Sequence, residues 1–127
     1  MKKIYYNKLV RDKIPDVIEK SGGKYLVKRL GLSDYRKELI KKVGEESDGV
    51  VQAKDRIGII DELGDLLDVV DELRTTLKIK ASEITASRKA AFIKKGGFKK
   101  KLFLVWSEDT GYKSNERKYK TNSKTKN

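Results

Sequence analysis

The chain has 127 residues, of which 37% are hydrophobic and 39% are charged, so it has material for one modest core and one domain, which a partner subunit could complete. It contains no cysteine and no histidine, which excludes disulfides, thiolate or histidine-bound zinc and every Ser-His arrangement. Any catalysis must therefore depend on carboxylates, lysines, tyrosines or a metal-bound water.

The formal net charge of +12 is unevenly distributed along the chain. Residues 45–72 contain ten acids and two bases, a net charge of −8, which leaves a net charge of +20 for the rest. This division favours a partner that carries both divalent cations and phosphates, because carboxylates bind the first and basic side chains the second. It also fits a solvated acidic helix beside an unrelated basic tail, so charge alone leaves both interpretations open.

The N-terminal quarter of the chain predicts little regular structure. A basic leader, KLVRDK at residues 8–13, is expected to be irregular or extended. Pro15 predicts a short helix over residues 15–20, because proline is tolerated in the first helical turn, and Ser21-Gly22-Gly23 ends it. Apolar and polar residues alternate imperfectly over residues 24–32, a pattern that predicts a short strand or a loop.

Two long helices follow and form the centre of the predicted fold. Ser33 is a candidate N-cap for the first, which should end near residues 52–55 and whose apolar positions are Tyr35, Leu39, Val43 and Val50. The second should span residues 56–77, because apolar residues recur there at intervals of three and four: Ile60, Leu63, Leu67, Val70 and Leu77. A turn near Asp55 would make the two helices an antiparallel pair in an all-α helical bundle.

The C-terminal third predicts one more helix and then a loss of order. A helix over residues 81–95 should end at Gly96-Gly97, and residues 102–106, LFLVW, predict a short extended or packed segment. Residues 107–127 contain no aliphatic side chain and are predicted to be a disordered basic tail, which leaves residues 1–106 as the domain. The apolar runs are too short to cross a bilayer or to form a signal peptide, so a cytoplasmic protein without a membrane partner is expected.

Three carboxylates on the two long helices are candidate metal ligands. Glu46 follows Val43 by three residues and so falls within an apolar stripe, where a carboxylate requires a hydrogen-bonding partner, a cation or a metal. Glu62 and Asp65 are one turn apart on the next helix. In a helical hairpin that turns at Asp55, Glu46 and Glu62 would lie at the same height along the two helices. Oxygen-only ligation suits Mg²⁺ or Mn²⁺. Alternatively, Glu46 pairs with a lysine and the acids of residues 61–72 form a solvated face.

Four blocks of sequence together resemble one protein family. They are YNKLVRDKIPDVIEK at residues 6–20, KKVGEE at 41–46, DELGDLLDVVDEL at 61–73 and KKGGFKKKLFL at 94–104. In this order they are similar to the MazG-like, all-α nucleotide pyrophosphohydrolases, and more closely to their phosphoribosyl-ATP pyrophosphohydrolase-like group. The resemblance implies a helical homo-oligomer that hydrolyses a nucleoside triphosphate between its α and β phosphates with Mg²⁺.

The resemblance also implies roles for particular residues. The family motif is Glu-Glu-x-x-Glu on one helix and Glu-x-x-Asp on the next. Here Glu45 and Glu46 match the first two acids and Glu62 and Asp65 the second pair, while Gly49 stands where the third glutamate is expected. Glu46, Glu62 and Asp65 would hold the metal, and Glu45 would orient or deprotonate the attacking water.

Substrate contacts can be suggested for the basic leader and for two aromatic residues. Lys8, Arg11 and Lys13 would clamp the phosphates, and Phe98 or Trp106 would stack on the base. The leader could equally pair with the chain's own acids, and the aromatics could be core residues.

A second class of function stays open. Gly49 and the strongly basic surroundings also fit a catalytically degenerate relative that acts as a nucleic-acid-binding or oligomeric regulatory module. In either case the basic tail could attract nucleic acid without sequence specificity.

Overall fold

A computed structural model describes residues 2–112 and contains four α-helices and no strand in that range. The helices are α1 (Ile14–Lys20), α2 (Leu32–Gln52), α3 (Arg56–Thr76) and α4 (Ala81–Lys95). The predicted all-α class is confirmed, and the predicted helix ends agree closely with the observed ones. The tail prediction for residues 113–127 lies outside the described residues.

Helices α2 and α3 form an antiparallel hairpin, as their spacing about Asp55 predicts. The Asp55 side chain caps α3 by accepting a 2.7 Å hydrogen bond from the backbone N–H of Gly58. At the far end of the hairpin, the Tyr35 hydroxyl donates a 2.6 Å hydrogen bond to Glu72 Oε2. The start of α2 thus meets the end of α3, which fixes the register of every contact between the two helices.

The predicted N-cap of α2 is wrong by two residues. Gly31 occupies the N-cap with extended backbone angles and provides no side-chain hydrogen bond, whereas Ser33 lies within the first turn. Leu32 has a helical conformation, so the helix extends back to the glycine instead of stopping at the serine. The end of α4 matches the prediction, because Gly96 there has a φ of 81°, in the left-handed region that glycine adopts without strain.

Residues 2–112 bury very few side chains by themselves. Among the described residues only Leu39 is buried, with 4% of its surface exposed. Toward α2, helix α3 presents a half-buried stripe that consists of Glu62, Leu66, Val69 and Leu73. The other apolar set, about 100° round the helix, is 41–64% exposed and comprises Ile60, Leu63, Leu67 and Val70 of α3 and Leu77 at its C-cap. Because α3 carries apolar residues on two faces, periodicity alone predicted the helix but not the face that packs.

The segment after α4 does not pack. Residues 102–106 form no strand, and their side chains are 64–89% exposed. Of the two predicted alternatives, the packed segment is therefore wrong. A strand needs a neighbour for its backbone hydrogen bonds, and residues 2–112 provide none. Only α2 and α3 pack along each other among the described helices, and none of the four has the length and apolar composition of a membrane span.

Candidate metal centre

Three carboxylates converge between α2 and α3. Glu46 of α2 and Glu62 and Asp65 of α3 each contribute one oxygen, and these oxygens all lie within 4.8 Å of one another. The hairpin register brings the two glutamates level, and the three-residue spacing places Asp65 one turn from Glu62 on the same side of α3. The sequence predicted this grouping, whereas metal binding by it stays a prediction.

The donor atoms of this cluster fit a hard divalent cation. All three are carboxylate oxygens, the ligand type that Mg²⁺ and Mn²⁺ prefer. Opposite ligands of Mg²⁺ are roughly 4.2 Å apart, twice a metal–oxygen distance of about 2.1 Å. The spacing of the three oxygens is therefore close to that of ligands in one coordination sphere, in which water or substrate oxygens would occupy the remaining positions.

The cluster is electrostatically unfavourable for Glu62. Burial raises the pKa of the Glu62 carboxyl above its usual value, and the negative charges of Glu46 and Asp65 raise it further. A bound cation would reverse the second effect, because it attracts the ionised carboxylates that otherwise repel one another.

Lys42 is a member of the site that sequence reasoning did not name. Its ammonium lies 3.4 Å from Glu46 Oε1 and 3.5 Å from Glu45 Oε1, and the Lys42 side chain is only 18% exposed. The pairing of Glu46 with a lysine, which the sequence left open, is therefore present. Its signal in the sequence is the four-residue spacing from Lys42 to Glu46, which places both side chains on one helix face.

Arg11 reaches the cluster from the leader. Its Nη2 atom donates 2.8 Å hydrogen bonds to both Asp65 Oδ1 and Asp68 Oδ2, and these bonds raise the pKa of the guanidinium. Of the two interpretations of the basic leader, pairing with the chain's own acids therefore applies to Arg11. Lys42 thus pairs with the cluster's carboxylate on α2, and Arg11 pairs with one of its carboxylates on α3.

Glu45, the predicted catalytic residue, lies beside the cluster and outside it. Its side chain is 32% exposed, but its Oε1 atom is buried and accepts no hydrogen bond. The nearest cationic group is the Lys42 ammonium, at 3.5 Å. Glu45 Oε1 thus faces an ammonium but accepts no hydrogen bond, and it lies one residue from a candidate metal ligand.

Gly49 has a direct spatial relation to Glu62. A Cβ atom added at Gly49 would lie 2.2 Å from Glu62 Oε2 and 2.8 Å from Glu62 Cδ, far inside van der Waals contact. The carboxylate of Glu62 occupies the space in which a side chain at position 49 would begin. With Glu62 in this position, a third acid at 49 would be excluded.

The remaining predicted substrate residues do not join the cluster. Lys8 places its ammonium 5.9 Å from the ring centroid of Tyr6, and Lys13 is the N-cap of α1. Neither lysine forms an ion pair with an acid within residues 2–112. Phe98 is 95% exposed and Trp106 is 78% exposed, so neither is a core residue in this chain.

Comparison of the chain with protein-family models, with curated proteins and with solved structures gives no match. The fold and the cluster define an all-α chain with a carboxylate-lined candidate cation site between two antiparallel helices.

Proposed function

We propose that the chain is a MazG-like nucleoside triphosphate pyrophosphohydrolase that requires Mg²⁺ or Mn²⁺. The observation that carries the proposal is the convergence of Glu46, Glu62 and Asp65, whose oxygens lie within 4.8 Å of one another. These are the same three residues to which the family resemblance gives the role of metal ligands. Helical spacing and family resemblance thus lead independently to one set of side chains.

The reaction would break the bond between the α and β phosphates of the substrate. The oxygen of water forms a bond to phosphorus, the bridging oxygen leaves with pyrophosphate, and the nucleoside monophosphate is the other product. A cation held by Glu46, Glu62 and Asp65 would supply charge neutralisation at the phosphates and acidify a water ligand. Glu45 would accept the proton of the attacking water at Oε1, which has no hydrogen bond. The Lys42 ammonium lies 3.5 Å from this oxygen and would hold the carboxylate in place.

The test is pyrophosphate release from a panel of canonical and modified nucleoside triphosphates with Mg²⁺ or Mn²⁺. Glu62→Gln should abolish release while the helical circular dichroism signal persists. Asp61→Asn is the matched control, because it removes the neighbouring carboxylate, which is exposed and lies outside the cluster. Release that is equal in Glu62→Gln and Asp61→Asn would reject the assignment.

We also propose that the working protein is a homo-oligomer assembled through the exposed apolar face of α3. The single buried residue within residues 2–112 cannot offset the conformational entropy that ordering these residues costs, so apolar surface must be buried elsewhere. Light scattering should show an oligomer that Leu67→Lys dissociates. Val17→Lys, at a residue of similar exposure on α1, should leave the oligomer intact. A monomeric wild type would contradict this proposal.

One observation favours the alternative of a catalytically degenerate nucleic-acid-binding or regulatory module. Gly49 replaces the acid that the family motif has there, and Glu62 fills the adjacent space, so the site has one carboxylate fewer. In this alternative, Mg²⁺ and Mn²⁺ would not change the melting temperature, and DNA binding would survive chelation and removal of residues 107–127.

A further inference from the structure

A positively charged groove lies beside the candidate metal centre. It is a shallow groove, open to solvent, with a volume of about 470 Å³, and it runs between the leader and the segment before α2. The residues that line it include Val10, Arg11, Asp12, Val27, Lys28 and Arg29. Sequence reasoning gave no role to Lys28 or Arg29.

The charges of the groove suit an anion with several negative charges. It is lined by three cationic side chains and one acid, and Lys28 and Arg29 are exposed. Neither of these two forms an ion pair in the part of the chain that the structure describes. An arginine and a lysine side by side provide the bidentate and the point-charge contacts that phosphate groups use.

Arg11 connects the groove to the metal centre. It lines the groove and also donates hydrogen bonds to Asp65, a candidate metal ligand, and to Asp68. A cation that binds Asp65 competes with the guanidinium for the same carboxylate. Cation binding would therefore release Arg11 toward the groove, and an anion in the groove would in turn release Asp65 toward the cation.

We propose that this groove binds the polyphosphate chain of a small nucleotide, with Lys28 and Arg29 as phosphate ligands and Arg11 coupling phosphate binding to cation binding. The proposal rests on the proposed function, because it gives the phosphate-binding part of the same active site. It transfers the main phosphate-binding role from Lys8 and Lys13 to residues 28 and 29.

The experiment measures calorimetric binding of inorganic tripolyphosphate to the full chain, with and without Mg²⁺. The groove variant is Lys28→Gln/Arg29→Gln. Its matched control, Lys20→Gln/Lys24→Gln, removes the same charge at exposed positions outside the groove. We expect the groove variant to bind about tenfold more weakly than wild type and the control to bind as wild type does, because only the groove variant loses charge-assisted contacts.

Two further measurements separate this proposal from the proposed function. Paramagnetic resonance of Mn²⁺ alone reports the metal centre and should be unchanged in the groove variant, whereas tripolyphosphate should tighten Mn²⁺ binding in wild type. If Mn²⁺ does not bind wild type, but the groove variant still binds tripolyphosphate more weakly than wild type does, the proposed function is wrong and the groove is confirmed as an anion-binding site.

Other results would overturn the proposal that the groove binds polyphosphate. They are equal tripolyphosphate binding by the groove variant and the control, or no tripolyphosphate binding by wild type. The proposal would likewise be overturned if the groove variant no longer bound a single-stranded oligonucleotide but bound tripolyphosphate as wild type does. That result would indicate that Lys28 and Arg29 bind nucleic acid.

Discussion

Substitution of Gly49 by alanine should weaken metal binding although position 49 is not a ligand. The new Cβ atom would lie 2.2 Å from Glu62 Oε2, and ordinary contact begins at 3.4 Å, so the carboxylate must move by about 1.2 Å, the difference between the two distances. That displacement is more than half of a metal–oxygen distance of about 2.1 Å. We therefore expect the affinity for Mn²⁺ to fall about 10- to 100-fold, the range found when a ligand's supporting contacts are lost.

The chain provides matched controls for this substitution. Gly44 lies on the same helix and Gly64 on its partner, and an added Cβ at either position meets nothing within 4 Å. All three substitutions to alanine gain helix propensity of up to about 1 kcal/mol, so only the steric effect distinguishes Gly49→Ala from Gly44→Ala and Gly64→Ala.

The assay is Mn²⁺ titration together with denaturant unfolding at a fixed Mn²⁺ concentration. At 100 times the wild-type dissociation constant, Mn²⁺ should stabilise wild type by about 2.7 kcal/mol. It should stabilise Gly49→Ala by only about 0.4 to 1.4 kcal/mol, which corresponds to the expected loss of affinity. Equal Mn²⁺ stabilisation of Gly49→Ala and Gly44→Ala would refute the reasoning that Glu62 binds the metal with its carboxylate in its present position beside Gly49.

Three further outcomes follow from the contacts of the site. Asp65→Asn should abolish Mn²⁺ binding, because it removes a candidate ligand. Asp68→Asn removes the other carboxylate that Arg11 binds and should retain Mn²⁺ binding. Equal Mn²⁺ affinities of the two variants in calorimetry would show that the cluster is not the metal site. Because the pKa of Glu62 is raised in the folded protein, metal-free wild type gains stability as the pH falls through that raised pKa and loses it again as the pH rises. Metal-free Glu62→Gln should therefore be the more stable protein at pH 7, and its advantage in urea unfolding should disappear in acid; an advantage that does not vary with pH would contradict this. Burial and the hydrogen bond to Glu72 raise the pKa of Tyr35 to about 12, so this stabilisation is present below pH 10 and lost toward pH 12. Tyr35→Phe should cost roughly 1 kcal/mol at neutral pH and remove the tyrosine ionisation near pH 12 from an absorbance titration, whereas an unchanged titration would exclude the assignment.

The sequence by itself determined the helices and the grouping of the carboxylates. Apolar residues at intervals of three and four identify α2 and α3, and the short connection at Asp55 allows only an antiparallel arrangement. Once that turn is located, the numbers of residues from it to Glu46 and to Glu62 are enough to predict that the two side chains lie opposite each other. These features depend on local periodicity and chain connectivity, which are properties of the sequence alone.

Only the tertiary structure decided which surfaces and side chains meet. Helix α3 has two apolar faces, and packing against α2 selected the one that contains Leu66 instead of the one that contains Leu67. The partner of Arg11 lies 54 residues away, and no spacing rule connects them. The contact of Gly49 with the Glu62 carboxylate depends on the distance between two helix backbones, which the side chains across the whole hairpin set together. Sequence periodicity gives a residue's angle around its own helix, whereas these contacts depend on how two helices are placed relative to each other.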